Sequence, residues 1–179
     1  MTDAGQFEAF VDEYQDLVFG TAVRLLGNPV EAEDVSQTVF LRAFERFADL
    51  GPDPARAGWL KTVATNLCLN HLTRYRARWQ FFSELDAPDA RDGRAFVDTL
   101  TSPVLSPDEV RHGRDRDLAL ERALRALPDH QRVPLVLYHF EERSYQDIAT
   151  TLGVSLGKIK TDIHRGREAL RQALAGAPR

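Results

Sequence analysis

Lys158, Lys160, Thr161, His164 and Arg165 crowd into one short stretch of the chain. The chemistry such groups do together is recognition of nucleic acid. Ammonium and guanidinium groups neutralise phosphates, while hydroxyl and imidazole groups hydrogen-bond base edges. A helix held by an apolar back and showing these side chains outward fits a DNA major groove. Charged helix faces are more often plain solvated surface, so the elements around the cluster have to decide between the two readings.

Those elements are legible. Ser144 can cap a short helix, with Asp147 three residues on as its capping partner. Ile148, Ala149 and Leu152 form its inner face, and Gly153 stands where a helix ends in a left-handed residue. Ser155 then caps a second helix, in which Leu156, Ile159, Ile163 and Leu170 recur at helical steps as one apolar stripe. Lys158, Lys160, Thr161, His164 and Arg165 stay off that stripe, with Arg167 on its flank. Two helices, a tight turn and a basic second helix together favour a helix-turn-helix over a solvated hairpin.

A second cationic stretch, 71–82, interleaves Arg74, Arg76 and Arg78 with Tyr75, Trp79, Phe81 and Phe82. Arginine follows phosphates and aromatic faces accept unstacked bases, so the mixture suits opened or single-stranded nucleic acid. The competing reading is a helix end with a solvated Arg face and aromatics in the core. Metal chemistry has little support. His130, His139, Glu141, Glu142 and His164 are scattered, and no His-Glu-x-x-His, Cys-x-x-Cys or glycine-rich phosphate loop occurs. Neither a cofactor nor a metal is expected.

The 179 residues are 43% hydrophobic and 28% charged, ordinary for a soluble globular chain of one large or two small domains. No run approaches the roughly 18 apolar residues of a membrane span, and the N-terminus lacks a signal-peptide pattern. The single cysteine, Cys68, sits in a helical pattern and reads as packed. A cytoplasmic location without membrane insertion follows as an expectation. The net charge of −4 alone argues against nucleic acid, but its distribution reverses that. Residues 1–51 carry ten acids against three bases. Residues 52–82 carry five bases against one acid, and residues 155–179 six against two. Two basic zones in an acidic chain suggest two separate phosphate contacts.

Helical patterns fill both flanks of a break. The first helix is expected at about 6–26, stopping at Gly27-Asn28-Pro29. Asn28 caps the next, Pro29 takes its first position and Glu31 completes the capping box. That helix carries a stripe of Val35, Val39, Phe40, Ala43, Phe44 and Phe47. A third is expected at about 57–82. Residues 83–106 hold prolines and acids and keep no helical stripe, so they read as an interdomain linker. A further helix starts near Ser106-Pro107 and ends at Leu127-Pro128, where a shorter one opens ahead of the helix-turn-helix. Nothing alternates with period two. The expected fold is all-α: two small helical domains joined by a linker, the C-terminal one a helix-turn-helix.

The order of these elements resembles the extracytoplasmic-function group of bacterial sigma-70-type sigma factors. Four stretches carry the resemblance: Asn28–Phe44, Trp59–Asn70 with the basic run after it, Ala123–Arg132, and Ser144–Arg167. The resemblance implies a subunit that binds core RNA polymerase and directs promoter-specific initiation, with no catalysis of its own. It divides the chain into region 2 at 1–82, an acidic linker at 83–106 and region 4 at 107–179. By position, Asp34, Gln37 and Phe40 would bind polymerase, with Arg42 and Phe44 near by, although Phe40 and Phe44 read equally well as core. Asn66, Asn70, Arg74, Arg76 and Arg78 would meet the −10 element, while Trp59 reads as core. Lys158, Lys160, Thr161, His164 and Arg165 would face the −35 element, and Ser155 and Arg167 would touch its phosphates. An anti-sigma factor is a further partner the resemblance allows.

Three positions depart from the family pattern. Thr38 stands where an acid is usual, Asn70 replaces the commoner Asp, and Asp162 stands where Arg is frequent. An acid on the groove side repels phosphate. It can accept from a cytosine amino group, pair with a neighbouring Lys or Arg, or lower affinity. A linker of about 24 residues reaches at most ~80 Å, against roughly 70 Å between elements two helical turns apart, so the two domains can span both. The competing function is a helix-turn-helix regulator that works without polymerase, which the second basic zone and the long linker disfavour.

Overall fold

The structure, a computed structural model, describes residues 4–51, 55–72 and 107–176, with side chains described from residue 115 onward in the second half. Every regular element among them is a helix. The chain divides into two compact units, Met1–Ala77 and Arg78–Arg179. The expected linker at 83–106 and the aromatic–arginine run beyond residue 72 lie outside the described residues.

The first unit packs α1 (Ala4–Leu26) against both α2 (Pro29–Glu45) and α3 (Ala55–His71). Phe10, Tyr14, Val18, Thr21, Ala22 and Leu25 recur at three- and four-residue steps and are buried, which gives α1 one inward face. The helix stops because Gly27 takes a φ of 68° while its N–H still bonds Val23 O at 2.8 Å. Asn28 starts α2 as expected. Its Oδ1 accepts from the N–H groups of Val30 and Glu31 at 3.0 and 3.5 Å, and Pro29 occupies the first turn. The Glu31 carboxylate lies 3.1 Å from His71 Nε2, tying α2 to the end of α3. Cys68 is fully buried among Leu60, Ala64 and Leu69, as packing predicts.

The buried stripe of α2 is Ala32, Val35, Val39 and Ala43. Phe40 is half-buried and Phe44 is 50% exposed, so Phe44 leaves the expected stripe and Phe40 stands at its edge. Small side chains at 32, 39 and 43 let α2 lie close to its neighbours, and the bulky rings are left at the rim.

The second unit holds α4 (Pro107–Ala126), α5 (Asp129–His139), α6 (Tyr145–Leu152) and α7 (Leu156–Ala175). Helix α7 packs on each of the other three. Arg132, buried in α5, donates from Nη1 to Leu127 O at 2.8 Å and so satisfies an orphan carbonyl at the end of α4. Its other nitrogen pairs with Asp129. Helices α5 and α7 approach closely at Gly166. A Cβ there would sit 2.9 Å from Leu135 Cδ1 and 3.4 Å from Gln131 O.

Candidate nucleic-acid interface

Helix α7 is set in place by local chemistry at both ends of a turn. Ser144 Oγ accepts from Asp147 N at 3.1 Å and donates to Asp147 Oδ2 at 2.7 Å, starting α6. Gly153 ends α6 with a φ of 69°, and the N–H groups of Gly153 and Val154 both bond Ala149 O. Ser155 then caps α7 by accepting from Lys158 N at 3.2 Å. Ile148, Ala149 and Leu152 are buried as expected.

The inward stripe of α7 is Ile159, Asp162, Ile163 and Gly166. Leu156, expected on that stripe, is 37% exposed at the first turn. The buried stripe is therefore shifted from the purely apolar one, and Gly166 on it lies close to Leu135. Lys160 and His164 are exposed, Thr161 and Arg165 are half-buried beside them, and Ser155 is exposed at the start. Thr161 Oγ1 donates to Gly157 O at 3.0 Å, which fixes its rotamer along the helix. Lys160, Thr161 and His164 share one outward face at three- and four-residue steps.

Lys158 does not belong to that face. Its Nζ lies 2.9 Å from Asp162 Oδ2 and 3.2 Å from Oδ1, and the two side chains are only 7% and 4% exposed. This corrects the outward placement of Lys158. It also selects among the fates of Asp162: the carboxylate is paired within the unit and faces away from solvent. Burial raises the Asp162 carboxyl above its ordinary value of 3.8. The hydrogen bond and charge of Lys158, then His130 and Arg165, oppose that rise without cancelling it.

Arg167 is likewise engaged inside the unit. Its Nε donates to His139 Nε2 at 3.1 Å, and its guanidinium lies 5.4 Å above the Tyr138 ring. Tyr138 in turn stacks on Tyr145 with centroids 4.6 Å apart. His139 must offer a lone pair to Arg167 and is therefore neutral. Burial first, and the Arg167 charge second, lower its pKa below the usual 6.5. Arg167, expected as a flank phosphate contact, here ties α5 to α7.

In the first unit Asn66 and Asn70 are exposed one turn apart on α3, and Trp59 is half-buried. Arg74, Arg76 and Arg78 lie outside the described residues. Arg56 was not anticipated. It donates from Nε to Gly51 O at 2.6 Å and lies 5.9 Å from each of the Phe10 and Phe47 ring centroids.

Between α1 and α2 runs an open groove of about 810 Å³, lined by Phe7, Phe19, Gln37, Phe40, Leu41 and Phe44 among others. Phe7 meets Phe44 edge-on at 4.9 Å, and Phe40 meets Phe10 at 6.3 Å. Gln37 and Phe40 thus share the groove, while Asp34 is exposed one turn earlier on α2. Thr38 Oγ1 donates to Asp34 O at 3.0 Å, so the hydroxyl that replaces an acid is turned to the helix itself. Sequence reasoning missed Phe19 and Leu41. The signal was present in Leu41, an apolar residue off the buried stripe and 67% exposed.

Among the described residues no group of three or more His, Cys, Asp or Glu side chains is placed to hold a metal. Nor is any helix among them long and apolar enough to cross a membrane.

Comparison with known proteins matches both units. Residues 10–78 match the Sigma-70 region 2 family and residues 117–170 match Sigma-70, region 4. The chain is 29% identical to the ECF RNA polymerase sigma factor SigW of Bacillus subtilis, across 96% of this chain and 90% of that one. Identity is 31% with the RNA polymerase sigma-H factor of Pseudomonas aeruginosa, over 96% and 88%. It is 33% with the ECF RNA polymerase sigma factor SigL of Mycobacterium tuberculosis, over 96% and 90%. With a helical unit matched to each region and three relatives aligned along most of their length, the chain belongs to the sigma-70 family, among its ECF sigma factors.

Proposed function

We propose that this chain is an alternative sigma factor that binds core RNA polymerase and directs promoter-specific initiation in the cytoplasm, the polymerase supplying all catalysis. Residues 1–82 act as region 2, residues 83–106 as an acidic linker, and residues 107–179 as region 4. The observation that carries the reading is the outward face of α7. Lys160, Thr161 and His164 stand together on a helix whose start is capped by Ser155 and whose back is locked on α5. Lys160 and Arg165 are suited to phosphates, Thr161 and His164 to base edges at −35. Ser155 adds a hydroxyl at the helix start, where the backbone favours anions.

The groove of the first unit supports the polymerase contact. Rings and aliphatic side chains left exposed beside Asp34 and Gln37 offer an apolar anchor with a polar rim. Asn66 and Asn70, exposed on α3, serve the −10 strand together with Arg74, Arg76 and Arg78. Lys158 and Arg167 are left out of the DNA contacts, because each is held by a partner inside the unit.

Affinity capture of core polymerase by the full chain, followed by run-off transcription from sequences selected with the reconstituted holoenzyme, tests the reading. Capture and chain-dependent initiation are expected. Duplex binding with neither capture nor initiation would favour a regulator that works without polymerase.

A further inference from the structure

The Lys158–Asp162 pair withdraws a cation of α7 from its own recognition face into a nearly closed site. Both carboxylate oxygens of Asp162 lie within 3.2 Å of Lys158 Nζ. Asp162 lies on the same buried stripe of α7 as Ile159 and Ile163, and the charged and titratable groups that act on it are Lys158, His130 and Arg165. A carboxylate at such a site needs a partner, since a buried unpaired charge is strongly disfavoured. Lys158 sits one turn before it at the correct spacing. Swinging Lys158 out to a phosphate would strip Asp162 of that partner, so the ammonium stays inside.

We propose that Asp162 is a specificity-determining positioning residue: by holding Lys158 in the interior, it sets how many cations α7 presents to DNA. The proposal rests on the promoter reading above. Its physical consequence is selective. Binding to arbitrary sequence comes almost wholly from phosphate neutralisation, whereas discrimination comes from base contacts. Removing one cation lowers the first and leaves Thr161 and His164 for the second, so the ratio of specific to non-specific binding rises.

The test uses holoenzyme reconstituted from core polymerase and the full chain, titrated with a random-sequence DNA duplex over a range of salt. Each phosphate contact contributes about 0.9 to the slope of log K against log salt. D162N keeps the shape but frees Lys158, so the slope steepens by about 0.9 and random-duplex binding tightens several-fold. K158M leaves the slope at the wild-type value, and K160A makes it shallower by about 0.9. Lysine acetylation read by mass spectrometry adds an independent signature: Lys158 is protected in the wild type and reactive in D162N.

A shallower slope for K158M, matching that of K160A, overturns the proposal because Lys158 would then contact DNA in the native protein. So does an unchanged slope in D162N once Lys158 has become reactive. If D162N fails to fold, the double variant K158M/D162L removes both charges together. It is expected to bind with the wild-type slope, and a shallower one overturns the idea. Should neither K160A nor R165A alter the slope, the DNA reading of α7 itself fails and takes this proposal with it. A normal K160A response beside an inert D162N removes only the role of Asp162.

Discussion

The α1–α2 surface and the α7 surface use their side chains in opposite ways. Helix α2 buries small residues and leaves rings outside: Ala32, Val39 and Ala43 are fully enclosed, while Phe44 and Leu41 stand half or more in solvent. Helix α7 encloses charge: Asp162 and Lys158 are drawn in, and Leu156 is let out. On the proposed reading, the first surface would gain affinity from apolar area, which salt barely affects. The second would depend on a small number of cations, which salt screens and counterion release dominates. The contrast teaches that residue type alone does not assign a side chain to core or surface. What neighbouring helices allow to approach decides it.

The largest effect is expected at the groove. Leu41→Asp together with Phe44→Ala removes exposed anchors and places a charge among rings, so core-polymerase affinity should fall by about 3 kcal/mol, roughly 100-fold. Binding unchanged in a competition assay would break the comparison, since the apolar surface would then have no partner there. Ionic strength should leave this contact largely unaltered, in contrast to DNA binding.

Next in size is Gly166→Val. The added atoms meet Leu135 and the Gln131 carbonyl, so the second unit should lose about 2 kcal/mol, seen as a lower denaturation midpoint by circular dichroism. Region 2 signals should be unaffected if the two units unfold separately. Lys160→Ala and Arg165→Ala come third. Each should weaken −35 duplex binding by about 1 kcal/mol and reduce the salt slope by about one. Equal slopes in variant and wild type would remove the cationic half of the contrast.

The smallest expected effect is in pH. His139 has its folded pKa below 6.5, so the unfolded chain takes up a proton before the folded one does. Stability of the second unit is full above about pH 6.5 and declines as pH falls from there toward the folded pKa. His139→Gln should flatten this slope in urea titrations, because glutamine cannot titrate. Asp162 acts with the opposite sign. Its folded pKa lies above 3.8, so protonation at more acidic pH relieves a burden on the folded state. The two contributions separate by window, and a wild-type profile flat from neutrality to about pH 5 would count against the His139–Arg167 tie.

Helix boundaries were legible because their causes are local. Asn28-Pro29, Ser144, Gly153 and Ser155 each act within a few residues, and the hydrogen bonds they were expected to make are present. The helical character of the chain followed from periodicity, and the region 2 and region 4 resemblance from the order of motifs. The outward group Lys160, Thr161 and His164 was readable for the same reason, since steps of three and four decide a shared face whatever the helix packs on.

Which face turns inward was another matter. Lys158 read as surface and Leu156 as core, and packing reversed both; Phe44 had read equally as core or surface, and Asp162 took the pairing that was one of its three readings. Helix α7 meets α5 where Gly166 lies close to Leu135, a contact between residues far apart in the chain. The tie between Arg167 and His139, 28 residues apart, and the reach of Arg56 to Phe10 are of the same kind. Sequence by itself determined where helices start, where they stop and which side chains travel together along them. Only tertiary packing decided which of those side chains water can reach, because burial is a property of pairs of helices and not of one.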